Sequence, residues 1–136
     1  MKEKIYTKSF PSDPNLLPQI EDYVLDVVSS IGLDKEILNR LALSVAEAAA
    51  NSILHGNNSD INKLVKITIK ISKDKLQLIF KDEGKGFNPD NIPDPTTEEN
   101  ILKTHGRGLH IMHTFLDSLT YNFLPDGTEA ILTIKL

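Results

Sequence analysis

The spacing of apolar positions divides the chain into extended and helical stretches. Lys4 to Phe10 predicts a short strand, with Tyr6 and Phe10 on one face and Ile5, Thr7 and Ser9 on the other. The alternation is imperfect, because Lys8 shares the face of the two aromatics. Pro11-Ser12-Asp13-Pro14 stops the strand. From Leu16 to Ile31 the apolar residues Leu17, Ile20, Val24, Val27 and Val28 fall at helical steps, and Gly32 ends the helix they predict. Asp34 is placed to cap a longer helix from Lys35 to about His55, closed by Gly56-Asn57-Asn58. Leu64 to Ser72 and Lys75 to Lys81 alternate with period two, and Ser72-Lys73-Asp74 is a hairpin-length link. A helix is expected over Gly108 to Asp117. Two final strands, Ser118 to Leu124 and Thr128 to Leu136, flank the turn Pro125-Asp126-Gly127. The order β-α-α-β-β-loop-α-β-β, with two hairpin-like pairs and a lone first strand, predicts an α+β fold. Its form would be a two-layer sandwich of a mixed, mainly antiparallel sheet with helices on one face.

One stretch resists this pattern. Glu83 to Arg107 holds three of the seven glycines and three of the seven prolines. A loop of that length inside a compact domain is usually functional or disordered.

Composition narrows the function classes. The 136 residues are close to the length of one domain, expected here over residues 1–136. With no cysteine, disulfide frameworks, thiolate zinc sites, iron–sulfur clusters and cysteine nucleophiles are excluded together. Fifteen basic against nineteen acidic residues give a net charge of −4, a poor basis for broad nucleic-acid binding. The lysines at 63, 66, 70, 73, 75 and 81 are scattered over a hairpin, as on a solvated sheet face. No apolar run approaches the roughly 18 residues of a membrane helix. Met1 to Ser9 lacks the apolar centre of a signal peptide. The expectation is a soluble, cytoplasmic protein.

Three segments carry candidate chemistry. In Ala42 to Gly56, otherwise small or apolar, Glu47, Asn51 and His55 recur at i, i+4 and i+8. Each step of four turns a helix by about 40°, so these residues form one polar stripe. Asn is a poor residue for a helix interior, which argues against a merely solvated face. A Glu and an Asn on one face suit a proton acceptor beside an oxygen ligand for Mg²⁺. Next, Asp82-Glu83-Gly84-Lys85-Gly86-Phe87 follows a strand directly. Asp82 can accept a hydrogen bond at the strand end, while Gly84 and Gly86 allow close backbone approach. Third, His105-Gly106-Arg107-Gly108-Leu109 opens a helix, where free backbone N–H groups and glycines can bind phosphate. No G-x-x-x-x-G-K-[ST] and no G-x-G-x-x-G is present, which removes P-loop and simple dinucleotide-binding readings. His105, His110 and His113 could hint at a metal site, but the cluster contains no carboxylate or cysteine.

E-x-x-x-N on a helix, D-x-G-x-G after a strand and G-x-G at a helix start together resemble the GHKL (Bergerat) ATP-binding fold. The likeness covers nearly the whole chain and is nearest to the anti-sigma-factor serine/threonine-protein kinases (RsbW-like). Gly86-Phe87-Asn88-Pro89, Pro93-Asp94-Pro95-Thr96, Glu99-Asn100 and Gly106-Arg107-Gly108-Leu109 fit that branch. The resemblance implies ATP and Mg²⁺ as cofactors, with Glu47 as catalytic base and Asn51 as Mg²⁺ ligand. It implies Asp82 as acceptor for the adenine amino group, with Gly84 and Gly86 beside the base. Gly106, Arg107 and Gly108 would meet the phosphates, and Thr128 would stand near the adenine pocket. The implied activity is phosphorylation of a STAS-domain anti-anti-sigma factor. The implied partners are that antagonist, a sigma factor and a second copy of the chain, with no direct nucleic-acid or membrane partner. Two alternatives stay open: a non-enzymatic nucleotide-sensing switch of the same fold, and a GHKL ATPase without a protein substrate.

Overall fold

The computed structural model describes residues 3–84 and 118–136. The helix expected over Gly108–Asp117 and most of the glycine- and proline-rich loop lie outside these residues. The chain runs β1 (Lys4–Pro11), a 3₁₀ turn (Pro14–Leu16), α1 (Leu17–Ser29), α2 (Lys35–Ala50) and a π-helical turn (Asn51–Gly56). It continues through β2 (Leu64–Ile71), β3 (Lys75–Lys81), β4 (Ser118–Leu124) and β5 (Gly127–Lys135). The strands form one sheet in the order β1-β2-β3-β5-β4. Every neighbouring pair is antiparallel, so among the described strands the sheet is antiparallel rather than mixed.

The period-two pattern decides which face is covered. Val65, Ile67, Ile69 and Ile71 of β2, Leu76, Leu78 and Phe80 of β3, and Ala130 and Leu132 of β5 are buried. Ile20, Val24 and Val28 of α1, with Leu41, Val45, Ala48 and Ala49 of α2, belong to the same buried cluster. A helical stripe on an alternating sheet face gives the two-layer α+β sandwich. The lone first strand finds its place at the sheet edge, paired with β2 from Lys4↔Ile71 to Pro11↔Leu64. Lys8, which broke the alternation, lies with its ammonium 5.1 Å from the Phe10 ring centroid and 5.3 Å from that of Tyr23. A cation over two ring faces can occupy an inward-leaning position that a bare charge could not.

Both helix boundaries read from sequence have structural causes. The Asp34 carboxylate accepts from Glu36 N at 3.0 Å and caps α2, and Gly32 takes φ +75° after α1. The far end of the second helix differs from expectation. α-Winding stops at Ala50, and Asn51–Gly56 winds as a π turn, with Asn57 N donating to Ser52 O at 2.9 Å. Glu47 and Asn51 therefore keep their one-turn relation, whereas His55 falls in the wider turn and is exposed. Asn58 and Ser59 then adopt left-handed φ values of 52° and 57°, and Ser59 N closes onto Ile53 O at 2.7 Å.

Candidate functional site

The π turn brings the end of the second helix against the end of β3. A pocket open to solvent lies there, lined by Ala48, Asn51, Ser52, Phe80, Asp82, Tyr121, Thr128 and Ala130. Three residues singled out in the sequence, Asn51, Asp82 and Thr128, thus share one cavity.

Asp82 is the centre of the construction. It is only 2% exposed. Its Oδ1 accepts from Gly84 N at 2.9 Å and from Thr128 N at 3.2 Å, while its own N–H donates to Thr128 O at 2.9 Å. Its Oδ2 accepts no hydrogen bond from the described residues, and an ionised oxygen so placed is an acceptor for a ligand N–H. Burial pushes the Asp82 carboxyl above its ordinary value; the two backbone N–H groups and the charges of Lys81 and Lys63 pull it back only in part.

Three glycines let this side chain sit where it does. A Cβ at Gly56 would overlap the Asp82 carboxylate, and one at Gly84 would overlap the Gly56 carbonyl. One at Gly127, whose φ is +154°, would overlap the Asp82 carbonyl. Helix end, β3 end and β5 start therefore meet backbone to backbone around one carboxylate.

The rest of the wall combines apolar surface with isolated polar groups. Phe80, Ala48 and Ala130 are buried and offer flat, apolar contact. Thr128 is 2% exposed, and its Oγ1 has no hydrogen-bond partner among the described residues. A buried hydroxyl of that kind is normally satisfied, so it marks a place where a ligand or water belongs. Burial pushes the Tyr121 phenol up to about 12, so it stays neutral across the physiological range. Apolar walls with a few convergent polar groups are the usual make-up of a small-molecule site.

Not every residue picked from the sequence comes here. Glu47 is half-buried on α2, one turn before Asn51, and is not among the pocket-lining residues. Gly84 supports the pocket through its bond to Asp82. Gly86, Gly106, Arg107 and Gly108, and the histidines at 105, 110 and 113, lie outside the described residues. Among the described residues no group of three or more His, Asp or Glu could hold a metal, and no helix is long and apolar enough to cross a membrane. In the sequence Gly56 reads as a helix stop and Gly127 as a turn residue. Ser52, Phe80 and Tyr121 do not stand out there as lining, because each needs a tertiary partner to be recognised.

Comparison with known proteins agrees with this geometry. The profile of the histidine kinase-like ATPase domain matches residues 10–134. The chain is 34% identical over 104 residues to the anti-sigma F factor of Clostridium perfringens, covering 74% of each. It is 28% identical over 117 residues to the serine-protein kinase RsbW of Bacillus subtilis, covering 80% of this chain and 72% of that one. Its fold matches the catalytic domain of the histidine kinase ThkA with a TM-score of 0.56 at 13% identity, over 96% of this chain and 97% of that one. It also matches the histidine kinase domain of a blue-light activated kinase from Erythrobacter litoralis, with a TM-score of 0.58 at 17% identity. There it covers 88% of this chain but spans only 61% of the other. The chain belongs to the histidine kinase-like (GHKL) ATPase family, a class whose pocket binds ATP. Within that class it falls with the anti-sigma-factor protein kinases.

Proposed function

We propose that this chain is an anti-sigma factor with serine/threonine-protein kinase activity. It binds ATP in the Asp82 pocket and transfers the γ-phosphoryl group to a Ser or Thr of a STAS-domain anti-anti-sigma factor. It holds a sigma factor while that antagonist is phosphorylated. The observation that carries this reading is a buried Asp82 carboxylate in one pocket with a Thr128 hydroxyl that has no partner among the described residues, beside apolar walls. An adenine ring presents an amino N–H next to ring nitrogens, which matches one acceptor and one hydroxyl. The relatives, an anti-sigma F factor and a serine-protein kinase, support the rest.

The division of labour follows from residue chemistry. Asn51 lines the pocket, and its carboxamide oxygen is the kind of hard donor that would hold a Mg²⁺ ion. When bound, that ion supplies charge neutralisation at the phosphates. Glu47, one turn earlier on α2, takes the proton of the acceptor hydroxyl. Gly106, Arg107 and Gly108 meet the phosphates and Gly86 lies beside the base, assignments that rest on the family resemblance. Phosphoryl transfer is mostly positioning and charge stabilisation, so this short list suffices. β1 is an edge strand with an exposed row of residues, and it supplies the pairing edge of a homodimer. The chain works in the cytoplasm, where a sigma factor would be met.

The test is incubation with γ-labelled ATP and a STAS-domain protein. Label on that protein is the expected result. Free phosphate alone identifies an ATPase without protein substrate, and binding with neither product identifies a switch.

A further inference from the structure

Asn57 follows the π turn directly, within the Gly56-Asn57-Asn58 segment expected to close the second helix. It is completely buried. Its Nδ2 donates to Ser12 Oγ at 2.6 Å and to Leu64 O at 3.1 Å, and its Oδ1 accepts from Glu83 N at 2.7 Å. One carboxamide thus ties the segment after β1, the start of β2 and the segment after β3. Ser12 is held in turn, its Oγ donating to Lys63 O at 2.7 Å.

The β2–β3 register explains what these bonds do. The ladder ends at Lys66↔Lys81, and continued by two residues it would set Leu64 opposite Glu83. A continued ladder would leave the backbone groups of those two residues to pair with each other or with water. Here Leu64 O and Glu83 N are both bonded to the Asn57 side chain, and Leu64 N donates to the Glu83 carboxylate. Side chains have replaced backbone partners at this end of the sheet. The next residue back is Asp82, whose backbone N–H still follows β5 through Thr128 O. Asp82 is therefore fixed from both sides, by β5 on one and by the Asn57 wedge through Glu83 on the other.

We propose that Asn57 is a positioning residue for nucleobase recognition, setting the angle at which the Asp82 carboxylate enters the pocket. The inference rests on the adenine reading of that pocket. Asn57 lies outside the pocket lining, so it acts only through Glu83 and Asp82.

The test compares ADP with IDP, which carries a carbonyl oxygen where adenine carries its amino group. Affinities are measured by calorimetry on the full chain, well below each variant's melting midpoint. Asn57→Ala is expected to weaken ADP binding about tenfold while IDP binding changes less than about threefold. In an Asp82→Asn background the same substitution should cost less than about threefold for ADP, because the group it positions is already gone. A purely structural role predicts a lower melting midpoint with an unchanged ADP/IDP ratio, and that result overturns the proposal. Full additivity with Asp82→Asn overturns it as well. If Asn57→Ala does not fold, Ser12→Ala removes one acceptor of the wedge; it should lower the ADP/IDP ratio about twofold to threefold, and an unchanged ratio counts against the proposal. Wild-type protein that binds neither nucleotide overturns the adenine reading itself; wild-type ADP binding with an unmoved ratio overturns only the role of Asn57.

Discussion

Replacing Asp82 by Asn tests the pocket most sharply, because the structure dictates how the new side chain must sit. Oδ1 is held by the N–H groups of Gly84 and Thr128, so the carboxamide oxygen has to take that place. The amide NH₂ then takes the place of Oδ2, putting donors where the carboxylate had an acceptor. An adenine amino group meets a donor rather than a charged acceptor. Loss of a charge-assisted hydrogen bond costs about 1.5–3 kcal/mol, or about 10- to 150-fold in Kd. Stability should move the other way. The Asp82 carboxyl is raised by burial, so the folded state holds its proton more tightly than the unfolded chain does. Folding stability from this group is then lost as pH rises from the unfolded value of 3.8 through the raised folded value. At pH 7 the nucleotide-free variant should melt at the wild-type midpoint or above it. Calorimetric titration with ADP and thermal melting of the same samples measure both quantities. The ratio of wild-type to variant affinity should also shrink as pH falls through the raised value, the nucleotide's own titration cancelling in the ratio. A variant that loses stability and affinity together, or that keeps wild-type affinity, refutes the assignment.

Other expectations follow from the same geometry. Mg²⁺ with ATP at 100 times Kd should stabilise the protein by about 2.7 kcal/mol, and an unshifted melting midpoint at millimolar nucleotide would remove the site. Glu47→Ala should keep nucleotide affinity and lose about 10²–10⁴-fold in single-turnover transfer to a STAS protein; near-wild-type transfer takes Glu47 off the catalytic list. Gly84→Ala drives a Cβ into the Gly56 carbonyl, and chemical denaturation should register a loss of about 1–3 kcal/mol together with weakened ADP binding. Light scattering should return twice the 15.2 kDa chain mass, with the single-chain mass at high concentration counting against pairing through β1.

The features legible in the sequence are those that repeat locally. Val65, Ile67, Ile69 and Ile71 announce a half-buried strand by alternation alone, and Asp34 before Lys35 announces a cap. Asp82 was legible only in combination, because an acid and glycines after a strand also make an ordinary turn, and it was the set of three motifs that singled it out. The π turn was not legible, since over six residues apolar spacing hardly distinguishes winding by 3.6 from a slightly wider turn. The crowding of Gly56, Gly84 and Gly127 was invisible for another reason. Each glycine is explained by a group from a different part of the chain, the Asp82 carboxylate for Gly56 and backbone carbonyls for Gly84 and Gly127, so no single segment carries the signal. Asn57 reads only as part of a helix stop, and its three distant partners, which make it interior, are equally invisible in the local sequence.

The strand order has a consequence for biosynthesis. β5, later in the chain than every other described strand, does not lie at the rim; it inserts between β3 and β4. Until it emerges from the ribosome, β3 offers an edge running Leu76, Leu78 and Phe80, and β4 has no partner among the described strands. The pocket cannot exist before that moment either, because Thr128 and Ala130 are part of its wall. Nascent chains therefore pass through a stage with adhesive edges and no capacity to be rescued by nucleotide. Any truncation ahead of Gly127 would hold the molecule in that stage permanently.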